Sequence, residues 1–351
     1  MTAGKNIDWT EHVCIHYYRQ VATGACSRVL PENPMTFIVP TILGVLLCLG
    51  QLHAQAMPMK VILDTDIGDD IDDAWALAFV IAHKNFETLG ITVSHGNTPA
   101  RAKMACKMLH LTGRGNIPVF VGRQTAQKEY SHQFTWAEDF AATRPDARKA
   151  ADFIVESVRK NPGEVTVIAV GPLQNLADAL RKEPRLGKLV KRVVLMSGCV
   201  YGTAEKQAPI AEYNVYSSLA DSQLVYAAGL PLTIVPLDST THVRLSDVER
   251  ERLQKYSSPL TFALEVLYRL WLEKPESRMT LHDQLAVAET AAPGRYSGKV
   301  ETLPIWVDDK GFTRVDSQKG KPVAVCLQPK RDAFMQYYLG ELVGQRLGMK
   351  P

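Results

Sequence analysis

An apolar strand that runs straight into six aspartates constrains this chain more than any other feature. The stretch Val61-Ile-Leu-Asp-Thr-Asp-Ile-Gly-Asp-Asp-Ile-Asp-Asp-Ala74 sets Asp64, Asp66, Asp69, Asp70, Asp72 and Asp73 almost side by side. Like charges this dense repel, so a fold that gathers them must offset the charge with a cation or with protons. Val61-Ile-Leu63 reads as a buried strand, and Asp72 to His83 reads as a helix that opens with acids. The acids therefore fall between the carboxyl end of a strand and the amino end of a helix, where open α/β sheets hold their ligands. A hard divalent cation suits such a site.

The rest of the chain repeats the strand-then-helix alternation. Short apolar runs predict strands at Lys60–Leu63, Leu89–Val93, Pro118–Val121, Val165–Val170, Arg192–Met196 and Leu232–Leu237. Helical periods predict helices at Asp72–His83, Ala100–Leu111, Arg148–Arg159, Leu173–Arg181 and Ser218–Ala228. Residues 245–292 read as mainly helical, with Leu260–Leu272 amphipathic. A strand at Pro322–Cys326 and a helix at Arg331–Arg346 close the chain. This order predicts an α/β fold with an open, mostly parallel, Rossmann-like sheet and helices on both faces, in one domain from 57 to 351.

Residues 1–56 read as a leader outside that domain. The apolar segment from Met35 to Gly50 has signal-peptide length and ends at His53-Ala-Gln-Ala56, a small-x-small cleavage pattern, with residues 1–34 as an upstream extension. The segment is short for a bilayer span, and polar Gln51 and His53 follow at once, so no stable membrane span is expected. Export, periplasmic or secreted, is the expected location; the protein would be cytoplasmic if the leader does not function. The leader's charges balance, so the remainder keeps the whole chain's net charge of +3. That charge, with no basic stripe interleaved with aromatics, argues against nucleic acid as a partner. Beyond the leader stand Cys106, Cys199 and Cys326, too far apart in sequence for a Cys-x-x-Cys metal site and too few for a disulfide framework.

Several predicted strand ends carry polar groups where a plain turn would serve. They are His95-Gly-Asn97, Gly171-Pro-Leu-Gln-Asn175, Ser197-Gly198 with Glu212-Tyr-Asn214 beyond it, and, late in the chain, His282-Asp283. In a doubly wound sheet these ends share one rim with the acids. Taken in order, the acidic run, Gly96-Asn97, Ala169-Val-Gly-Pro-Leu-Gln-Asn175, Val194-Leu-Met-Ser-Gly198, Ala211-Glu-Tyr-Asn214, Leu237-Asp238 and His282-Asp283 resemble the inosine-uridine nucleoside hydrolases. These are calcium-dependent enzymes that cleave the N-glycosidic bond of ribonucleosides. The resemblance covers most of the chain beyond the leader.

It implies Ca2+ held by Asp66, Asp70, Asp73, Asp283 and the carbonyl of Val170, all hard oxygen donors. It implies Asp66 as general base on a water, and His282 as the acid for the departing base, a task suited to a group titrating near neutrality. Asp72, Asn97, Glu212 and Asn214 become ribose contacts, with Met196 along the sugar face. The implied partner is a small-molecule nucleoside, and a homo-oligomer, dimer or tetramer, is in keeping with the family. The expected reaction gives ribose and a free nucleobase.

The chain also departs from the family. Its run Asp66-Ile-Gly-Asp-Asp-Ile-Asp-Asp-Ala74 is two residues longer than Asp-x-Gly-x-Asp-Asp-Ala, so Asp70 and Asp72 are interchangeable candidates for the first of the paired acids. Lys206 stands where an Asn is frequent, and Phe134-Thr-Trp-Ala-Glu-Asp-Phe140 replaces the usual base-side loop. Phe134 and Trp136 suit a stack on a nucleobase or a place in the core. Asp64 suits a brace in the loop, and His95 and His132 suit structural roles.

Two other functions remain readable. Asp64-Thr-Asp66 at a strand end resembles the nucleophile strand of haloacid-dehalogenase-like phosphatases. An exported nucleoside- or sugar-binding protein that kept the fold without turnover is the second. A calcium loop of the EF-hand type is excluded, because Asp69 and Trp75 occupy its required Gly and Glu positions.

Overall fold

The protein's structure, a computed structural model, describes residues 57–127, 130–272 and 278–344; the leader expected over 1–56 lies outside them. Ten strands form one sheet: β1 (Met59–Thr65), β2 (Phe86–Val93), β3 (Val119–Val121), β4 (Asp146–Lys149), β5 (Thr166–Ala169), β6 (Arg192–Met196), β7 (Leu232–Val235), β8 (Ser297–Val307), β9 (Thr313–Val315) and β10 (Lys321–Pro329). Their order across the sheet is β4-β3-β2-β1-β5-β6-β7-β10-β8-β9. All neighbours from β4 through β10 run parallel, and β8 joins β10 and β9 antiparallel. The mostly parallel α/β sheet expected from the strand-helix alternation is what forms.

The helices are α1 (Asp72–Ala82), α2 (Thr98–Leu111), α3 (Ala150–Lys160), α4 (Gln174–Lys182), α5 (Leu219–Ala227), α6 (Asp247–Gln254), α7 (Pro259–Trp271), α8 (His282–Ala291) and α9 (Arg331–Val343), with single turns between some of them. They cover both faces. Val61 and Leu63 of β1 pack into one core with α1, α2, α7, α8 and α9, whereas Ile62 packs into the other with α3, α4 and α5. A strand buried on both sides must be apolar at consecutive positions, hence the unbroken Val61-Ile-Leu63. Every residue of α1 is buried, so it is apolar all round after its acidic first turn. Helix starts follow local chemistry: the Asn97 side chain caps α2, with Pro99 in its first turn, and Ser258 with Thr261 forms a capping box on α7. Among the described residues no helix is long and apolar enough to cross a membrane.

Where the structure differs from the sequence reading, pairing partners are the reason. The predicted helix Arg148–Arg159 begins at Ala150, because Asp146–Lys149 adds β4 to the edge of β3. β8 and β9 lie in a stretch with no predicted element. β8 mixes Lys299, Glu301 and Pro304 into a half-exposed strand whose partner β10 comes later in the chain. The described residues of 245–292 hold three helices, with Arg244 and Thr280 forming an isolated antiparallel bridge. The described cysteines are free and buried.

Candidate active site

β1 delivers its acids to the point where the sheet changes direction. Asp64 is in register with Thr92 of β2 on one side and Ala169 of β5 on the other. Asp66, two residues beyond Asp64, and Val170, one beyond Ala169, therefore emerge together at the crevice where a doubly wound sheet binds ligands. They line a cavity of about 920 Å3 together with Asp72, Asp73, Met196, Glu212, Asn214, His282 and Asp283.

Asp64 stays behind this rim. It is fully buried and accepts hydrogen bonds from Thr92 Oγ1 and Asn175 Nδ2, tying β1 to β2 and to the start of α4. Burial pushes its carboxyl up to about 7. This is the brace the sequence allowed. A carboxylate with no exposed surface cannot serve as a phosphatase nucleophile at that position.

Asp66 reaches the cavity and is only 4% exposed. Its backbone N–H donates to Asp73 Oδ1 at 3.2 Å, and its carbonyl accepts from Arg101 Nη1. Burial drives its carboxyl up to about 7, with Arg101 acting against the rise. Gly171 makes room for it: a Cβ there would lie 2.5 Å from Asp66 Oδ1 and 2.9 Å from its amide nitrogen. Gly171→Ala should therefore displace the carboxylate and lower kcat by about 100-fold, the scale of a misplacement near 1 Å. Steady-state kinetics with a melting curve checks this; full activity in the variant would show that the carboxylate has room to spare.

Asp72, Asp73 and Asp283 form the acidic centre. All three are buried, and each offers an oxygen within 4.8 Å of the others'. Two helix starts converge to make it. Asp72 and Asp73 lie in the first turn of α1, and Asp283 lies in the first turn of α8, where the helix dipole favours negative charge. The Asp283 N–H donates to Asp72 Oδ2, Gln284 Nε2 donates to the Asp72 carbonyl, and Thr65 Oγ1 donates to Asp73 Oδ1. Burial, then repulsion among the acids, holds all three carboxyls well above their ordinary range. Three enclosed oxygen donors that resist ionisation fit a hard divalent cation, which would offset their repulsion and favour their ionised form.

Asp70 takes another path. It precedes the helix, is exposed, accepts from the Ile71 N–H at 2.7 Å and is hydrogen-bonded to Trp271, so it lies outside the trio. Of the two interchangeable candidates, Asp72 is the one that meets Asp73 and Asp283, because only positions inside the first turn of α1 face α8. Asp70, set among the ligands in the sequence reading, lines the cavity without joining the trio, and Asp72, set among the ribose contacts, stands in it.

The remaining predicted residues divide. Asn214 Nδ2 donates to the carbonyls of Val170 (2.7 Å) and Met196 (3.1 Å), locking β5, β6 and the following loop around the cavity. The Glu212 carboxylate lines the cavity yet accepts from the N–H groups of Gly198, Asn214 and Val215, which makes it a buried cap. Burial raises it to about 7. Asn97 accepts from the Ala100 N–H as the cap of α2 and is not among the cavity walls. His282 lines the cavity, with Nδ1 2.7 Å from Thr240 Oγ1. Desolvation lowers its imidazole to about 4, so the ring is uncharged at neutral pH and does not titrate where the sequence placed it.

The sequence reading missed the aromatic mouth. Tyr130, Tyr213, Tyr216 and Trp271 line the cavity, whereas Phe134 packs against Gly68 and Trp136 lies under Lys107. The two extra residues of the acidic run are tied into this mouth. Tyr213 Oη donates to Asp69 Oδ2 at 3.3 Å, and Gln133 Nε2 donates to the Asp69 carbonyl at 3.0 Å. Gly68 permits the detour with φ +103°, a conformation that side chains avoid. Tyr213 could have been noticed from its place between Glu212 and Asn214. Trp271 had no signal beyond ending an amphipathic helix.

Residues 61–336 match the family model described as inosine-uridine preferring nucleoside hydrolase. An uncharacterised protein of Schizosaccharomyces pombe is 33% identical over 84% of this chain and 100% of its own length. Uridine nucleosidase 1 of Arabidopsis thaliana is 29% identical over 74% of this chain and 79% of its own. A pyrimidine-specific ribonucleoside hydrolase of a Shewanella species is 28% identical over 76% and 90%. Among solved structures, a plant nucleoside hydrolase superposes with TM-score 0.73 at 24% identity, covering 82% of this chain and 100% of that one. A purine-preferring ribonucleoside hydrolase from Gardnerella vaginalis gives 0.69 at 24%, covering 81% and 98%.

Proposed function

Because the chain belongs to the inosine-uridine preferring nucleoside hydrolase family, we propose that it hydrolyses the N-glycosidic bond of ribonucleosides, giving ribose and a free nucleobase with Ca2+ as cofactor. The observation that carries this is the trio Asp72, Asp73 and Asp283, buried together at the sheet's switch point and opening on the cavity beside Asp66. Calcium held there, with Asp66 and the Val170 carbonyl as further donors, would supply a Lewis acid that makes a water more acidic and orients vicinal sugar hydroxyls. Asp66 takes the proton of the attacking water, a role suited to a carboxylate whose burial lifts it toward neutrality. The water oxygen bonds the anomeric carbon as the bond to the base breaks, through an oxocarbenium-like transition state. Asn214 and Met196 form the sugar side of the cavity, and His282 faces the departing base.

The aromatic mouth supports stacking on a planar base. Two relatives named for uridine or pyrimidine nucleosides make uridine the first substrate to try. The apolar segment and small-x-small pattern ahead of Met57 support an exported protein with one catalytic domain from 57 to 351. Incubation with uridine, cytidine, inosine, adenosine and guanosine tests the reading by reducing sugar and base released. Equimolar ribose and base are expected from at least one nucleoside. Tight nucleoside binding with no product from any of them would make it a binding protein instead.

A further inference from the structure

We propose that Thr240 is a positioning residue that sets the tautomer of His282, so that the ring presents Nε2–H to the departing base. The inference rests on the hydrolase reading above. Thr240 ends the single helical turn Leu237–Thr240 after β7 and is fully buried. Its Oγ1 lies 2.7 Å from His282 Nδ1, and that nitrogen is the one hydrogen-bond partner of the hydroxyl among the described residues.

The direction of this bond follows from what each group can do. A threonine hydroxyl always carries a hydrogen, and a buried one left without an acceptor is costly. If the neutral ring held its proton on Nδ1, Nδ1–H would donate to Oγ1 and the Thr240 hydrogen would have no described acceptor. With the proton on Nε2, Oγ1–H donates to bare Nδ1 and both groups are satisfied. The second arrangement leaves Nε2–H on the cavity side, where His282 forms part of the wall and Nε2 has no partner among the described residues.

The chemistry balances without a net proton leaving the ring. The C1′–N bond breaks with its electron pair going to the base, and the water oxygen bonds C1′ while the water's proton passes to Asp66. Negative charge collects on the nitrogen and oxygen atoms of the base, one of which accepts a hydrogen bond from Nε2–H. The base then takes its proton from solvent. A nucleobase needs that help because it is a poor leaving group, whereas p-nitrophenolate leaves readily without it.

Thr240→Val keeps the shape and removes the hydroxyl; Thr240→Ser keeps the hydroxyl. On uridine, Thr240→Val should lower kcat by about 10- to 100-fold with little change in KM, and Thr240→Ser should restore most of it. On p-nitrophenyl β-D-ribofuranoside, Thr240→Val should lose less than about 3-fold. The ring-nitrogen shifts of His282 in 15N-histidine-labelled, calcium-loaded protein, identified by comparison with His282→Asn, should show a protonated Nε2 and a bare Nδ1. Unchanged turnover of uridine by Thr240→Val, or an equal loss on both substrates, overturns the assignment. So does a wild-type ring protonated at Nδ1, a readout that needs neither a Thr240 variant nor turnover. Wild-type protein that releases no base from any of the five nucleosides and no p-nitrophenolate would instead sink the hydrolase reading, while the nitrogen shifts still decide the role of Thr240.

Discussion

Asp66→Asn is expected to release ribose and base at least a thousand-fold more slowly than the parent protein while remaining folded. The amide has nearly the same shape, so Gly171 still accommodates it, yet it cannot take a proton from water and is a weaker donor to a cation. Loss of one general base alone is worth about 100- to 10,000-fold, and the lost ligand adds to that. Stability should move the other way. The Asp66 charge raises the carboxyls of Asp72, Asp73 and Asp283, so replacing it relieves repulsion in a buried centre. The variant without metal should melt no lower than the metal-free parent. Initial rates and calorimetry on the same preparations measure both effects. Turnover within tenfold of the parent would remove Asp66 from the proton-transfer role.

Stripping divalent metal with a chelator is expected to abolish turnover and to make stability fall as pH rises, with calcium restoring activity. The sign follows from the direction of the shifts. Carboxyls raised in the folded state, Asp66 and Asp64 to about 7 and the trio well above the ordinary carboxylate range, bind protons that the unfolded chain has already released. Their protonated forms are tolerated at low pH, so stability declines as pH climbs from the ordinary carboxylate range near 4 through the raised values. Metal-free protein should therefore melt higher at pH 5 than at pH 8. Calcium binds the ionised acids, so it should flatten or reverse that slope, and at a thousand times its Kd it adds about 4 kcal/mol. Melting curves at both pH values, with chelator and with calcium, give the answer. An identical slope in the two states would mean that the acids meet no cation.

Much of the frame was legible because it depends on local pattern. Val61-Ile-Leu63 had to be a strand covered on both faces, and the acids beyond it had to lie at its carboxyl end. The parallel strands β1 to β3, β5 to β7 and β10 each carry a compact apolar run. β8 and β9 do not. Their residues alternate only weakly, and their place depends on β10, which lies later in the chain than either. β4 was hidden for a related reason, since Asp146–Lys149 is polar and half-exposed and pairs only because β3 offers a free edge.

The site shows the same division at finer scale. Asn97 and Glu212 are polar residues at element starts, and sequence alone cannot separate a side chain that meets a ligand from one that satisfies backbone N–H groups beside it. Packing shows what each one bonds: Asn97 caps α2 away from the cavity wall, and Glu212 accepts from three amides while still lining the cavity. His282 was expected to titrate near neutrality, but desolvation by burial lowers it.

By itself the order of residues determined which chemistry the chain carries: a crowd of hard oxygen donors at the end of a buried strand, with a histidine and a further aspartate reserved for late in the chain. Only the tertiary structure decided which donors meet. Asp72 rather than Asp70 stands with Asp73 and Asp283, and Tyr213 and Trp271 close the mouth through the two extra residues of the acidic run. The physical reason is that charge and periodicity are properties of neighbours along the chain. Convergence of oxygens within one ion's reach depends on how α8 packs against α1, more than two hundred residues away in sequence.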